Sequence, residues 1–177
     1  DITGETHEAT KSLVLNQQGY EININLRERI SIQGLKSIEV KATNSDGADV
    51  KVKGEFEISA IKGPAQNRRN RLWVVPDILT LSEQEYVTRF ADYAVPGREE
   101  MSGWPVDRVI GKKSFVVDGT GTMDFSNLIT APGYYKVSSN WKDATGKEFK
   151  IDQYIMAYGK GQMLPGYEVS QIDFNDQ

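Results

Sequence analysis

The chain has 177 residues, of which 38% are hydrophobic and 26% are charged, a balance that suits one core and a solvated surface. Its net charge of −4 is not that of a basic platform for nucleic acid. There is no Cys, which excludes disulfides, a thiol nucleophile and a Cys-based zinc site, and no apolar run reaches the roughly 20 residues that a membrane-spanning helix needs.

The two ends of the chain resemble each other. Asp1-Ile2-Thr3-Gly4 is similar to Asp143-Ala144-Thr145-Gly146, and each is followed by a polar stretch, a strand and a Gly-Tyr-Glu-aliphatic motif. The preserved order favours a tandem array over a chance match of a common turn. We therefore expect the terminal hairpin arm of a preceding repeat at 1–15, a complete domain at 16–158, and a linker with the start of a following repeat at 159–177. An orphan arm is expected to pair with a sheet edge or to swap between chains.

Apolar and polar residues alternate at period two along most of the chain, in runs at 21–26, 37–43, 50–58, 134–141 and 149–155. One apolar and one polar face per strand is typical of antiparallel sheets. The turns at 44–47 and 143–146 each end in Gly, which adopts positive φ readily. The pattern predicts an all-β sandwich or barrel rather than an α/β fold.

The segment 62–110 alternates little, and we interpret it as a long insertion, which is usually functional or family-specific. Its best helix candidate lies near 82–90. Ser82 can cap this helix, and Glu85, three residues later, completes a capping box. Tyr86 and Phe90 would then share one helix face.

The run Gly-Tyr-Tyr-Lys-Val at 133–137 is followed by Trp-Lys-Asp-Ala-Thr-Gly-Lys-Glu at 141–148. Together they resemble the terminal hairpin of macroglobulin domains, the repeated sandwich modules of alpha-2-macroglobulin-like proteins, and in particular the type that stands second along such chains. The stretch 1–6 resembles the same hairpin of a preceding domain. The segment 62–73, Pro76-Asp77 and the predicted helix are similar to an insertion in the large bacterial members, notably those of Bacteroidetes-type envelopes. The resemblance implies an immunoglobulin-like, macroglobulin-type antiparallel β-sandwich with a long, partly helical insertion.

The resemblance also limits the function. Members of that family act as broad protease traps whose reactive centre is a Cys-x-Glu-Gln thioester in a different domain, and a chain without Cys cannot carry it. We therefore expect a non-enzymatic structural module that serves protease inhibition indirectly. Its partners would be neighbouring domains of the same chain and, through the full-length parent, proteases. The implied location is secreted, in the bacterial periplasm or at the outer-membrane surface, with a parent that could be lipid-anchored.

We single out a candidate partner-binding set in the insertion: Arg68, Arg69, Arg71, Trp73 and Trp104. The arginines could bind an anionic partner, or pair with local acids. The rings could form a sugar-binding face, or anchor the insertion onto the sandwich. The rival function that follows is a carbohydrate-binding or adhesion module of a bacterial surface protein.

No catalytic, cofactor or metal residue is predicted. His7, the only His, stands in a polar stretch, and a His-based metal site usually needs several nitrogen ligands. The carboxylates of the insertion could support glycoside hydrolysis, a third and weaker hypothesis, but they suit a helix cap and a solvated loop better. The stretch 118–124 faintly resembles a calcium loop, and we interpret it as a hairpin turn.

Overall fold

The computed structural model describes residues 20–64, 69, 74, 81–142 and 148–159. The predicted arm at 1–15, the turn at 143–146 and the segment beyond Gly159 lie outside these residues. The described part is mostly strand and forms two sheets, which confirms the prediction of an all-β, sandwich-like fold. None of its helices is long and apolar enough to cross a membrane.

The first sheet has three strands in the order β1-β3-β6, and the second has five in the order β2-β8-β7-β4-β5. The strands of the first sheet are β1 (Tyr20–Ile24), β3 (Ile38–Asn44) and β6 (Thr120–Met123). Those of the second are β2 (Arg29–Ser31), β4 (Lys51–Ile61), β5 (Val106–Asp118), β7 (Gly133–Lys142) and β8 (Glu148–Tyr158). The helix α1 (Glu83–Arg89) and the 3-10 helices Ile32–Lys36 and Met101–Gly103 complete the described elements.

All strand pairs are antiparallel except β2 with β8, which is parallel. The chain therefore leaves the first sheet after β1 and enters the second at β2, beside β8, the last strand of the described residues. Leu26, which lies between β1 and β2 in the sequence, is buried. Met156 of β8 donates its backbone N–H to the carbonyl of Glu28 over 2.7 Å. Through this crossing, β2, near the beginning of the described chain, pairs with β8 at its end.

The alternation of β3 explains how the first sheet faces the core. Ile38, Val40 and Ala42 are buried, whereas Glu39 and Lys41 between them are exposed. The turn that follows is the predicted one. Asn44 accepts backbone hydrogen bonds on its side-chain oxygen from Asp46 and Ala48, and Gly47 adopts a φ of 79°.

The core closes on three aromatic rings. Phe56 of β4 is fully buried, with its ring centroid 4.6 Å from that of Phe115 and 5.0 Å from that of Phe125. Phe115 comes from β5 of the same sheet, whereas Phe125 follows β6 of the other sheet. The cluster therefore joins the two layers, and aromatic pairs of this kind contribute beyond their buried area.

Two predictions about the middle of the chain are wrong. Strand β5 begins at Val106, so the final residues of the predicted insertion, 62–110, belong to the sheet. The stretch 118–124 is not a hairpin turn, because β5 and β6 lie in different sheets. Gly119, at a φ of 69°, makes this corner, and a Cβ there would collide with the Asp49 carboxylate.

We predict that Phe56→Ala lowers the free energy of unfolding by about 3–5 kcal/mol, since it opens a cavity between both sheets. Urea denaturation measures the loss. Val74→Ala, at a position that is 90% exposed, is the matched apolar truncation and should stay within about 0.5 kcal/mol of the parent. Equal effects of the two substitutions would contradict the proposed role of the aromatic cluster.

Candidate functional site

The long connection 62–105 joins β4 to β5, which are paired neighbours in the sheet. Both of its ends therefore lie at the same end of that sheet. Lys62 donates its backbone N–H to the carbonyl of Pro105 over 2.8 Å and closes the base of the connection. Any site built by this connection is consequently held against the rim of the five-stranded sheet.

The helix of the connection begins where the sequence predicts. Glu85 accepts the backbone N–H of Ser82 at 2.9 Å, and the Ser82 hydroxyl accepts the N–H of Glu85 at 3.3 Å, which forms the capping box. The hydrogen bonds from Ser82 hold the pKa of Glu85 below its ordinary value. Tyr86 and Phe90 lie on one face with ring centroids 5.0 Å apart, as predicted.

Trp104 anchors the connection onto the outer face of the five-stranded sheet, opposite the main core. Only 7% of the residue is exposed, and it packs with Ile61 and Tyr134 in a second apolar cluster. Its ring meets that of Tyr134 edge-on at 4.7 Å, and its indole N–H donates to the carbonyl of Arg98 over 3.1 Å. The buried indole thus fixes the return of the connection and presents little open face.

A small cleft of about 120 Å³ separates α1 from this anchor. Arg98 and Glu83 form an ion pair of 2.8 Å at its wall, and Lys62, Val87 and Trp104 also line it. Pockets that enclose small organic ligands are typically about 300–1,000 Å³. The cleft therefore suits one side chain or a few water molecules rather than a substrate.

The predicted basic cluster is described only at Arg69, because Arg68, Arg71 and Trp73 lie outside the described residues. Arg69 pairs with Tyr93 through a parallel bridge: its N–H donates to the carbonyl of Asp92 at 2.7 Å, and its carbonyl accepts the N–H of Ala94 at 2.9 Å. The backbone before α1 is thus fixed to the backbone after it, while the Arg69 side chain is exposed. Among the described residues, Arg69 and Trp104 make no contact with each other.

The outer face of the five-stranded sheet carries a polar network that the sequence did not single out. Asp152 accepts a hydrogen bond from the Ser138 hydroxyl at 2.6 Å and pairs with Lys136 at 2.8 Å. Burial opposes ionisation of Asp152, but the hydrogen bonds from Lys136 and Ser138 outweigh it and hold its pKa below the ordinary value. The same hydrogen bond to Asp152 raises the pKa of Lys136. Cross-strand register creates this network, and period-two alternation alone does not reveal register.

No group of three or more His, Cys, Asp or Glu residues that could hold a metal ion occurs within the described part of the chain. Two acidic side chains of the connection take local structural roles. Glu85 caps α1, and Glu83 pairs with Arg98.

We predict that Gly63→Ala destabilises the anchor of the connection by about 1–3 kcal/mol, since the new methyl group would overlap the Tyr134 ring. Limited proteolysis between residues 62 and 105, with urea denaturation alongside, measures the effect. Ser102→Ala, an exposed change in the same connection, is the control. Unchanged cleavage of the Gly63 variant would show that the connection is not held there.

We predict that Asp152→Asn costs about 1–2 kcal/mol at neutral pH and progressively less as the pH falls below the ordinary carboxyl pKa. Because the folded-state pKa of Asp152 is lowered, its contribution is complete above the ordinary carboxyl value and disappears as the pH falls through the folded one. Urea denaturation between pH 2 and 7 follows this difference. Glu148→Gln removes the exposed Lys142–Glu148 pair and should lower the stability much less than Asp152→Asn does. An equal cost from both variants would contradict the role of burial.

No protein-family model matches this chain, and neither a curated protein nor a solved structure matches it.

Proposed function

We propose that this chain is a non-catalytic, immunoglobulin-like sandwich module of an alpha-2-macroglobulin-like envelope protein, in which it serves protease inhibition indirectly. The single observation that carries the proposal is the strand arrangement, β1-β3-β6 against β2-β8-β7-β4-β5. Immunoglobulin-type sandwiches pair the second and fifth strands in one layer and the third, sixth and seventh in the other. In this comparison, β1 and β2 are the two halves of the first strand, which switches from one sheet to the other, and β5 is an additional strand beside β4. The order of the remaining strands then follows that scheme.

The hairpin that carries the family resemblance supports the same proposal. Residues 133–142 and 148–157 form one continuous antiparallel ladder, from Gly133 opposite Ala157 to Lys142 opposite Glu148. In the described part of the connection 62–105, the second part of the resemblance, Trp104 packs on the sheet, which supports the interpretation of this segment as an insertion of the sandwich. A module of this kind would act by holding neighbouring domains of a secreted parent in place.

The carbohydrate-binding alternative finds less support. Trp104 is 7% exposed and its ring edge packs on Tyr134, so it offers no open platform for a sugar ring. That alternative would therefore depend on Trp73 and the neighbouring arginines.

We predict that the isolated chain forms no thioester-derived covalent adducts with proteases, because it has no Cys. The full-length parent should carry further domains of similar length and a downstream Cys-x-Glu-Gln, and should form denaturant-resistant adducts with a protease. Replacing the Cys of that motif by Ala is the matched control and should abolish the adducts.

Two results would count against the proposed function. A complete reading frame without repeated domains or a thioester motif would exclude the covalent trap. A glycan-array signal from the isolated chain that disappears in Trp73→Ala would favour the carbohydrate-binding module. Trp104→Ala is unsuitable for that purpose, because it would also remove the anchor of the connection.

A further inference from the structure

Strand β5 is a long edge strand with two different halves. It has 13 residues and pairs with β4 alone within the described part of the chain. Its register with β4 shifts twice before Gly111, so residues 106–110 are bulged. From Gly111 to Asp118 the register is unbroken, which leaves one straight edge of about the length of an ordinary strand.

The opposite edge of the same sheet is built differently. Strand β2 has only three residues, and short edge strands are one common protection against unwanted pairing. In the straight half of β5, Lys113 is the inward-facing charge that could protect the edge, but its ammonium group donates to the carbonyl of Asp124 over 2.5 Å in its own chain. Among the described residues, no further strand pairs with the backbone of 111–118.

The exposed side chains of this half form a charge pattern that is complementary to itself. Lys112 and Asp118 lie three residues on either side of Phe115 and are both exposed. When two such strands pair antiparallel about Phe115, each Lys112 faces the Asp118 of the other copy. Opposite charges directly across two strands stabilise the pair, and twofold symmetry makes the contact twice.

We propose that a second copy of this chain pairs with β5 along 111–118, antiparallel and with Phe115 opposite Phe115. The pairing continues the five-stranded sheet of one copy into that of the other, so that ten strands form one sheet across the twofold axis. Val116, which is 62% exposed, then stands beside Ser114 of the other copy and close to the twofold axis. The Lys112 ammonium group, which lies 3.1 Å from Glu55 and from Glu57 of the neighbouring strand β4, would then face Asp118 of the other copy as well.

Charge exchange between two variants tests this register. In Asp118→Lys and in Lys112→Glu, each homodimer would contain two like-charge contacts, whereas the mixed dimer would contain two opposite-charge contacts. Sedimentation velocity should show reversible dimers for the unmodified chain and self-association about tenfold weaker or more for each variant. An equimolar mixture of the variants should recover the parental association. Lys41→Glu, an exposed change on the other sheet, should leave it unchanged.

A spin label provides a second measurement that does not depend on charge reversal beside Glu55 and Glu57. Because the chain has no Cys, Val116→Cys is labelled at one position only. The two labels of a dimer should lie on adjacent strands, with their Cα atoms within about 8 Å, and the coupling should vanish on dilution with unlabelled protein. A label at Lys41→Cys should show no such coupling. A parental chain that stays monomeric at every concentration, a mixture that fails to associate, or uncoupled Val116 labels would overturn the proposal.

Discussion

The contact between Phe56, Phe115 and Phe125 is the constraint on which the sandwich depends. Phe56 stands at the middle of β4, the strand that pairs with both β5 and β7, so its position is fixed by two ladders at once. Phe125 reaches it from the other layer, where its N–H donates to the carbonyl of Leu35. The ring cluster therefore sets the spacing of the sheets, and Gly119 must supply the sharp corner that delivers Phe125 to it.

The pairing of β4 with β5 also determines what the long connection can do. Its two ends are fixed side by side, so the connection can only fold back over the rim of the sheet. Ile61, Tyr134 and Trp104 give it an apolar surface there, against which Tyr154 and Met156 of β8 also pack. The outer face of the five-stranded sheet thus has two regions, a charged network around Asp152 and an apolar rim beneath the connection. Aromatic residues that would otherwise resemble a binding platform are used for this attachment.

Much of this fold could be predicted from the sequence, because alternation and capping are local. The runs that became β1, β3, β4, β7 and β8, the turn at 44–47 and the helix at Ser82 all follow from near neighbours. Strand β5 was not among the predicted runs, and the bulges near Ile110 and Asp107 interrupt its alternation. Strand β6 is short and contains Gly121, and β2 pairs in parallel with a strand far along the chain, so neither has a local signal. The Lys136–Asp152 pair depends on register, which only the assembled sheet establishes.

The two edges of the five-stranded sheet differ because they meet different neighbours. At one edge, β2 has only three residues and follows the crossing from the first sheet. At the other edge, β5 pairs along the whole of β4, and only its first residues meet the end of the connection. Its bulged half lies beside that connection, and its straight half lies beside the Gly119 corner, away from it. The bulged half therefore holds the connection, whereas the straight half forms the edge that is unpaired within the described sheet.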